Sequence, residues 1–194
     1  MGKVLVTCFE PFGGSEVNSS MQAVEELKKD LPEDWHTMVL PVVFGEAADL
    51  AVKRTRELRP DAVILTGQAE GRRRISVEAL GRNVRNARIP DNAGQQPENE
   101  KIVRGGEELF APDCDMERLT QMLAERGIHA SLSTDAGSFV CNDVYYSMLR
   151  AFRGSGIRVI FMHFPLSTAE GMSPVLFARA VRTAAEILTK EDHI

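Results

Sequence analysis

The spacing of apolar residues along the chain changes period several times. Residues 3–7 (KVLVT) form a short β-rich run that ends in the loop FEPFGGSEVNSS, with Pro11, Gly13 and Gly14, and predict a buried first strand. Asn18, Ser19 and Ser20 are good helix N-caps. The segment after them, MQAVEELKKDL, has apolar residues at 21, 24, 27 and 31, a helical period closed by Pro32. Residues 35–43 (WHTMVLPVV) then predict a strand, and 45–58 a second helix through Ala48, Ala51, Val52 and Leu58. Pro60 and Asp61 turn the chain into 62–67 (AVILTG), a continuous apolar run of the kind buried on both faces of an α/β sheet.

From 68 to 112 the pattern becomes irregular and rich in Gly, Asn, Pro and Asp. It predicts one hairpin, around ISVEAL and NVRNARI, and a polar insertion at 90–100. A segment this long without regular structure in a compact domain is often a lid or a pocket wall. Regular alternation then resumes: helix 116–126, Gly127, strand 128–133, a helix after Cys141, strand 157–163 and a last helix 173–189 opening at Ser173 and Pro174. Strand and helix alternating in this way predict a single α/β domain, a three-layer α/β/α sandwich around a largely parallel, mixed and twisted sheet.

Composition narrows the function classes. At 194 residues and 43% hydrophobic content the chain can bury one substantial core. A net charge of −5 argues against nucleic acid as a partner, because phosphate neutralisation needs a concentrated basic surface. The short run Arg72-Arg73-Arg74 fits a solvated loop or an ion-pair cluster better than an anion site. No apolar run approaches the roughly 20 residues of a membrane span. The N-terminal apolar run breaks at Glu10-Pro11, too early for a signal-peptide core, so the expected location is the cytoplasm. Cys8, Cys114 and Cys141 are odd in number, widely spaced and without a CxxC or a nearby histidine pair. Free thiols are expected, with neither a disulfide framework nor a metal site.

In sheets of this type reactive groups gather at the carboxyl ends of strands. Cys141, in AGSFVCNDVYYSML, falls where a helix starts. A thiol there meets the positive end of the helix dipole, which favours thiolate, and free N–H groups that can receive an oxyanion. A buried packing cysteine is the plainer alternative, and a base is needed to decide. His36 and His129 fit strand-edge or surface positions and His193 lies in the tail, whereas His163 closes the apolar strand IRVIFMH just before Phe164-Pro165. An imidazole at that strand end can deprotonate a thiol and later protonate a leaving amine, if a third group fixes its tautomer. Glu78, flanked by apolar residues, competes with Glu70 and Asp91 for that place.

Four long segments, 4-VLVTCFEPFGG-14, 67-GQAEGRRRISVEALGRNVRNARIPDNAG-94, 134-TDAGSFVCNDVYY-146 and 160-IFMHFP-165, closely resemble, in order and spacing, the pyroglutamyl peptidase I (pyrrolidone-carboxylate peptidase) family of cysteine peptidases. The resemblance implies removal of an N-terminal pyroglutamyl residue from peptides, an α/β/α sandwich, no metal or organic cofactor, and a cytoplasmic homotetramer. It places the nucleophile on Cys141 and the histidine on His163, and chooses Glu78 as the third group. The lactam-binding glutamine of the GQA motif falls on Gln68, and the aromatic pocket residues match Phe9 and Phe12, with Phe139 and Val140 beside the nucleophile. Arg88 matches a family arginine near the site; Arg88 and Asn142 count as supporting residues only.

The family's pattern is broken at Cys8 (usually glycine), Ala79 (usually arginine), Arg82 (usually apolar) and Ser19 (the proline of NPS). None removes a member of the triad. Cys8 is expected to add a second oxidisable thiol near the pocket. Pyroglutamate is a neutral, compact lactam, so the pocket should be apolar on its faces and polar at one edge, excluding the charged ammonium of an ordinary N-terminus. The alternatives are another amidase or a phosphate-dependent transferase on a similar sheet, or a pyroglutamyl-peptide-binding or thiol redox-sensing protein without turnover.

Overall fold

A computed structural model describes residues 2–168 and 171–190; His193 lies outside them. The chain runs β1 (Val4–Phe9), α1 (Ser19–Lys28), β2 (Trp35–Leu40), α2 (Glu46–Leu58), β3 (Ala62–Gln68), β4 (Ile75–Glu78), β5 (Gly81–Arg82), β6 (Leu109–Phe110), α3 (Met116–Glu125), β7 (Ala130–Ser133), α4 (Val140–Phe152), β8 (Arg158–Phe164) and α5 (Pro174–Lys190). Six strands form one sheet in the order β2-β1-β3-β8-β4-β7. The first four are mutually parallel, β4 runs antiparallel to β8, and β7 is parallel to β4. The sheet is mixed and single-domain, as the alternation predicts.

Both faces of the sheet are covered, which is why β1 and β3 are buried along their whole length. Val4, Val6, Ile64 and Ile160 point into a layer closed by α1, α3 and α5. Leu5, Val63, Leu65 and Phe161 point the other way, under α2 and α4. That alternation follows from the two-residue period of a strand.

Local chemistry sets the element ends. Asn18 caps α1 by accepting from Ser20 N–H, so the helix starts at Ser19, and Ser19, Ser20, Ala23, Val24 and Leu27 form its buried face. Strand β2 ends at Leu40 rather than at 43, since Pro41 brings no N–H to a ladder. The strand expected at 128–133 begins at Ala130. Gly127, at φ 76°, and Ile128 close α3 instead, with Ile128 N–H bonded to Leu123 O and Gly127 N–H to Ala124 O.

The hairpin expected around ISVEAL and NVRNARI does not form. Residues 75–78 enter the main sheet between β8 and β7, while β5 pairs antiparallel with β6, almost 30 residues away. Ile75 and Val77 are buried with the α1/α3/α5 layer, so burial across the sheet outweighs the local pairing. The polar stretch 90–100 is tied down by polar contacts. Asp91 accepts from the N–H groups of Phe44, Ala93 and Gln95, and Asn92 donates to Glu10 Oε1 and to Pro11 O.

Candidate active site

A cavity of about 630 Å³ opens at the carboxyl ends of β1, β3 and β8, where α4 begins. Its wall includes Phe9, Phe12, Gln68, Phe139, Val140, Cys141 and His163, and on the side of the irregular segment Glu70, Arg72, Arg88 and Ile89. Eight of the expected site residues, Arg88 included, thus meet in one place, and Glu78 stands directly behind His163.

Cys141 is in the first turn of α4. Phe139, the N-cap, makes no side-chain cap, and the first backbone bond within the helix start is Asp143 N–H to Phe139 O. The N–H groups of Val140, Cys141 and Asn142 therefore have no partner one turn back. The thiol lies over Gly67 of β3: a Cβ built there would stand 2.8 Å from Cys141 Sγ and 2.9 Å from the Phe161 ring. Gly67 is the register partner of His163 on β8. Neighbouring strands are about 4.8 Å apart, so the imidazole and the thiol are adjacent.

His163 is 4% exposed, and its Nδ1 is 2.8 Å from Glu78 Oε1. The Phe161 ring packs on the imidazole at 4.6 Å between centroids. Glu78 is fully buried, its backbone carbonyl accepts from Tyr145 O–H at 2.6 Å, and its Oε2 has no hydrogen-bond partner. Of its two competitors, Asp91 closes the 91–95 turn, and Glu70 sits exposed at the cavity rim, accepting from Gln68 Nε2. Arg72 separates from its neighbours in the basic run, with Nη2 at 2.8 Å from Glu78 Oε1 and 2.7 Å from Asp135 O. Sequence reasoning missed that role, because nothing in RRR marks which arginine turns inward.

The expectation of a thiolate favoured by the helix start is not met. The Cys141 thiol is pushed up to about 12, first by burial and then by the Glu78 carboxylate, against its own backbone N–H and Arg72, which lower it. Removal from water outweighs the dipole, and the sulfur carries its proton at neutral pH. Cys8 also departs from expectation: it is fully buried on the α1/α3/α5 side of the sheet, away from the cavity, and burial pushes it up to about 12.

Gln68 is 6% exposed, and its amide is oriented by two contacts. Ser19 N–H donates to its Oε1 at 2.8 Å, and Nε2 donates to Glu70 Oε1 at 3.3 Å. The aromatic wall is continuous, with ring centroids 5.9 Å apart for Phe12 and Phe139, and 5.3 Å for Phe44 and Phe139. The rim is more charged than expected, carrying exposed Glu70 and Arg88. Asn142 does not line the cavity; it is fully buried, donating to Arg82 O and Val84 O and accepting from Arg82 N–H, and so fastens β5 to α4. Asp143, also missed, accepts from Arg85 Nε and Gly45 N–H at 2.7 Å each and locks the start of α4. Among the described residues no group of acidic, histidine or cysteine side chains is arranged to hold a metal, and no helix is long and apolar enough to cross a membrane.

An α/β/α sandwich with a thiol at a helix start, beside an imidazole bound to a carboxylate, is the build of a cysteine-type hydrolase, and comparison with known proteins puts the chain in that class. The family model for pyroglutamyl peptidase matches residues 2–173. The chain belongs to that family. It is 40% identical to the pyrrolidone-carboxylate peptidase of Enterobacter sp. (strain 638), over 96% of this chain and 91% of that protein. With the pyrrolidone-carboxylate peptidase of Thermococcus kodakarensis it shares 36% identity over 97% of this chain and 94% of that one. The crystal structure of Bacillus amyloliquefaciens pyroglutamyl peptidase I superposes with a TM-score of 0.88 at 33% identity, covering 100% of both chains.

Proposed function

We propose that the chain hydrolyses the bond after an N-terminal pyroglutamyl residue through a Cys141–His163–Glu78 triad and an acyl-enzyme. The observation that carries this reading is the 2.8 Å contact between His163 Nδ1 and the buried Glu78 carboxylate, beside a thiol at an uncapped helix start. With Nδ1–H donated to Glu78, Nε2 is left as the base. Because the thiol is protonated at rest, His163 takes its proton as sulfur attacks the carbonyl joining pyroglutamate to the next residue. The free N–H groups at the start of α4 receive the oxyanion, and the imidazolium then protonates the departing amine. Water, activated by the same imidazole, releases pyroglutamate from the thioester.

The pocket supports a lactam as the reading of substrate. Phe9, Phe12, Phe139 and Val140 supply apolar faces. Ser19 N–H already occupies Gln68 Oε1, so Gln68 offers its N–H to the lactam carbonyl. The residues of the irregular segment act as a pocket wall through Glu70, Arg72, Arg88 and Ile89. A cytoplasmic location and a tetrameric assembly belong to this proposal through the family alone. Size-exclusion chromatography with light scattering checks the assembly.

A redox-sensing role is disfavoured by the same thiols. Sensor cysteines are accessible and thiolate-prone. Here Cys8 is fully buried, and the Cys141 thiol, though open to the cavity, is pushed up by burial and by the Glu78 carboxylate. Release of aminomethylcoumarin from its pyroglutamyl conjugate under reducing conditions tests the enzyme. No release above background, with a labelled pyroglutamyl peptide still bound, would leave a binding protein in its place.

A further inference from the structure

Glu78 presents an unusual arrangement of partners. Its carboxylate is fully buried, one oxygen has no hydrogen-bond partner, and the other serves both His163 Nδ1 and Arg72 Nη2, each at 2.8 Å. A buried carboxylate is costly unless it is paired, and the Arg72 guanidinium is the cation it pairs with. The same Nη2 donates to Asp135 O, in the loop that leads into α4. One guanidinium therefore joins the end of β4, the turn after β3 and the approach to the Cys141 helix.

We propose that Arg72 is a positioning residue of the active site: it holds the Glu78 carboxylate aimed at His163, and ties that carboxylate to the loop that sets the start of α4. The role given to His163 rests on the peptidase reading; the Arg72–Glu78 contact does not. A single nitrogen at the tip of the arginine, Nη2, meets both acceptors, and a lysine ammonium, on a shorter side chain, ends short of that position. The other titratable groups facing the cluster are Cys141 and Tyr145 from α4, and Glu70 and Arg88 at the cavity rim. The Asp135 carboxylate is turned away, toward Arg82 and Gly137 N–H. Arg72 thus lies against the carboxylate and also acts on the thiol, and removing such a charge makes a neighbouring proton harder to release.

The test compares wild type, Arg72→Gln and Arg72→Lys by two measurements. One is the rate of Cys141 alkylation by iodoacetamide at a fixed pH, followed by peptide mass spectrometry. The other is the pH dependence of kcat/KM on pyroglutamyl-aminomethylcoumarin. In Arg72→Gln the rate of Cys141 alkylation at a fixed pH near 8 should fall about tenfold, as a thiol harder to ionise by about one pH unit requires, the acidic limb of kcat/KM should move up by about one pH unit, and kcat should be at least about tenfold lower. In Arg72→Lys the limb should stay in place while kcat still falls, because charge is kept and the reach to both acceptors is lost. A purely structural role would lower the amplitude in Arg72→Gln without moving the limb or slowing alkylation, and that result overturns the proposal. If Arg72→Gln does not fold, Arg72→Met, which keeps an apolar stem and drops the charge, takes its place under the same criteria: a moved acidic limb supports the assignment, and lower amplitude with an unmoved limb refutes it. Alkylation needs no substrate. Slower alkylation in Arg72→Gln than in wild type, when neither cleaves the pyroglutamyl substrate, would uphold Arg72 and sink the substrate reading instead.

Discussion

Cys141 Sγ fills the space that a side chain on Gly67 would need, 2.8 Å from the Cβ such a residue would carry. The glycine serves packing rather than a special turn, because it lies inside β3 and is absent from the positive-φ residues. Gly67→Ala should force the sulfur or the Phe161 ring aside. A displacement near 1 Å at a reacting atom costs roughly 100-fold, so kcat/KM should fall by about that factor. Stopped assays on pyroglutamyl-aminomethylcoumarin, with a thermal melt to confirm folding, check this.

The members of the triad should differ in what their loss does. Cys141→Ser and His163→Ala each remove a group that moves charge and should leave turnover at background. Glu78→Gln keeps a side chain of the same shape but makes no ion pair with Arg72 and His163; residual activity, about 10² to 10⁴ below wild type, is expected from a folded protein. Full activity in Cys141→Ser would remove the nucleophile from the mechanism.

Ser19 separates binding from chemistry. Its N–H holds Gln68 Oε1, and its hydroxyl accepts from Ser167 N–H. Ser19→Pro deletes the N–H at the first position of α1, where proline is well tolerated, so stability should change little. Losing one orienting hydrogen bond, about 1 kcal/mol, should raise KM by roughly fivefold with kcat nearly constant. Ser19→Ala removes only the hydroxyl and should keep the wild-type KM; equal KM values for the two variants would show that Gln68 does not depend on this bond.

Buried thiols make the fold sensitive to alkali. Cys8 is raised by burial from 9.0 to about 12, so between these values the unfolded chain gives up a proton that the folded chain keeps. Stability then falls as pH rises, by up to about 1.4 kcal/mol per pH unit for each such group, and the effect is absent below pH 9. Cys8→Ala should cost stability at pH 7 through its cavity yet flatten the decline above pH 9. Urea midpoints at pH 7.5, 9 and 10.5 measure both effects.

The layers of the fold were legible because continuous apolar strands and helical spacing repeat along the chain. The features that were not legible depend on partners far away in sequence. Residues 75–80 look locally like half of a hairpin, yet Ile75 and Val77 find their burial across the sheet beside β8 and β7. Ile128 reads as strand by composition, but Gly127 before it diverts it into closing α3. At the site, Cys141 and His163 were suggested by their places at a helix start and a strand end. Glu78 needed the family resemblance, since burial is what distinguishes it from Glu70 and Asp91. The height of the Cys141 thiol was misjudged because a helix terminus can be recognised in sequence and the water around it cannot.

The sheet also acts as a wall between thiols. Cys8 and Cys114 pack with the α1/α3/α5 layer, and Cys141 with the α2/α4 layer. While the protein is folded, no second cysteine of this chain can reach an oxidised Cys141 to form a disulfide with it. A sulfenic acid formed there lacks a built-in resolving partner, so its rescue depends on small thiols entering the cavity before a further equivalent of peroxide carries it to the irreversible sulfinic state.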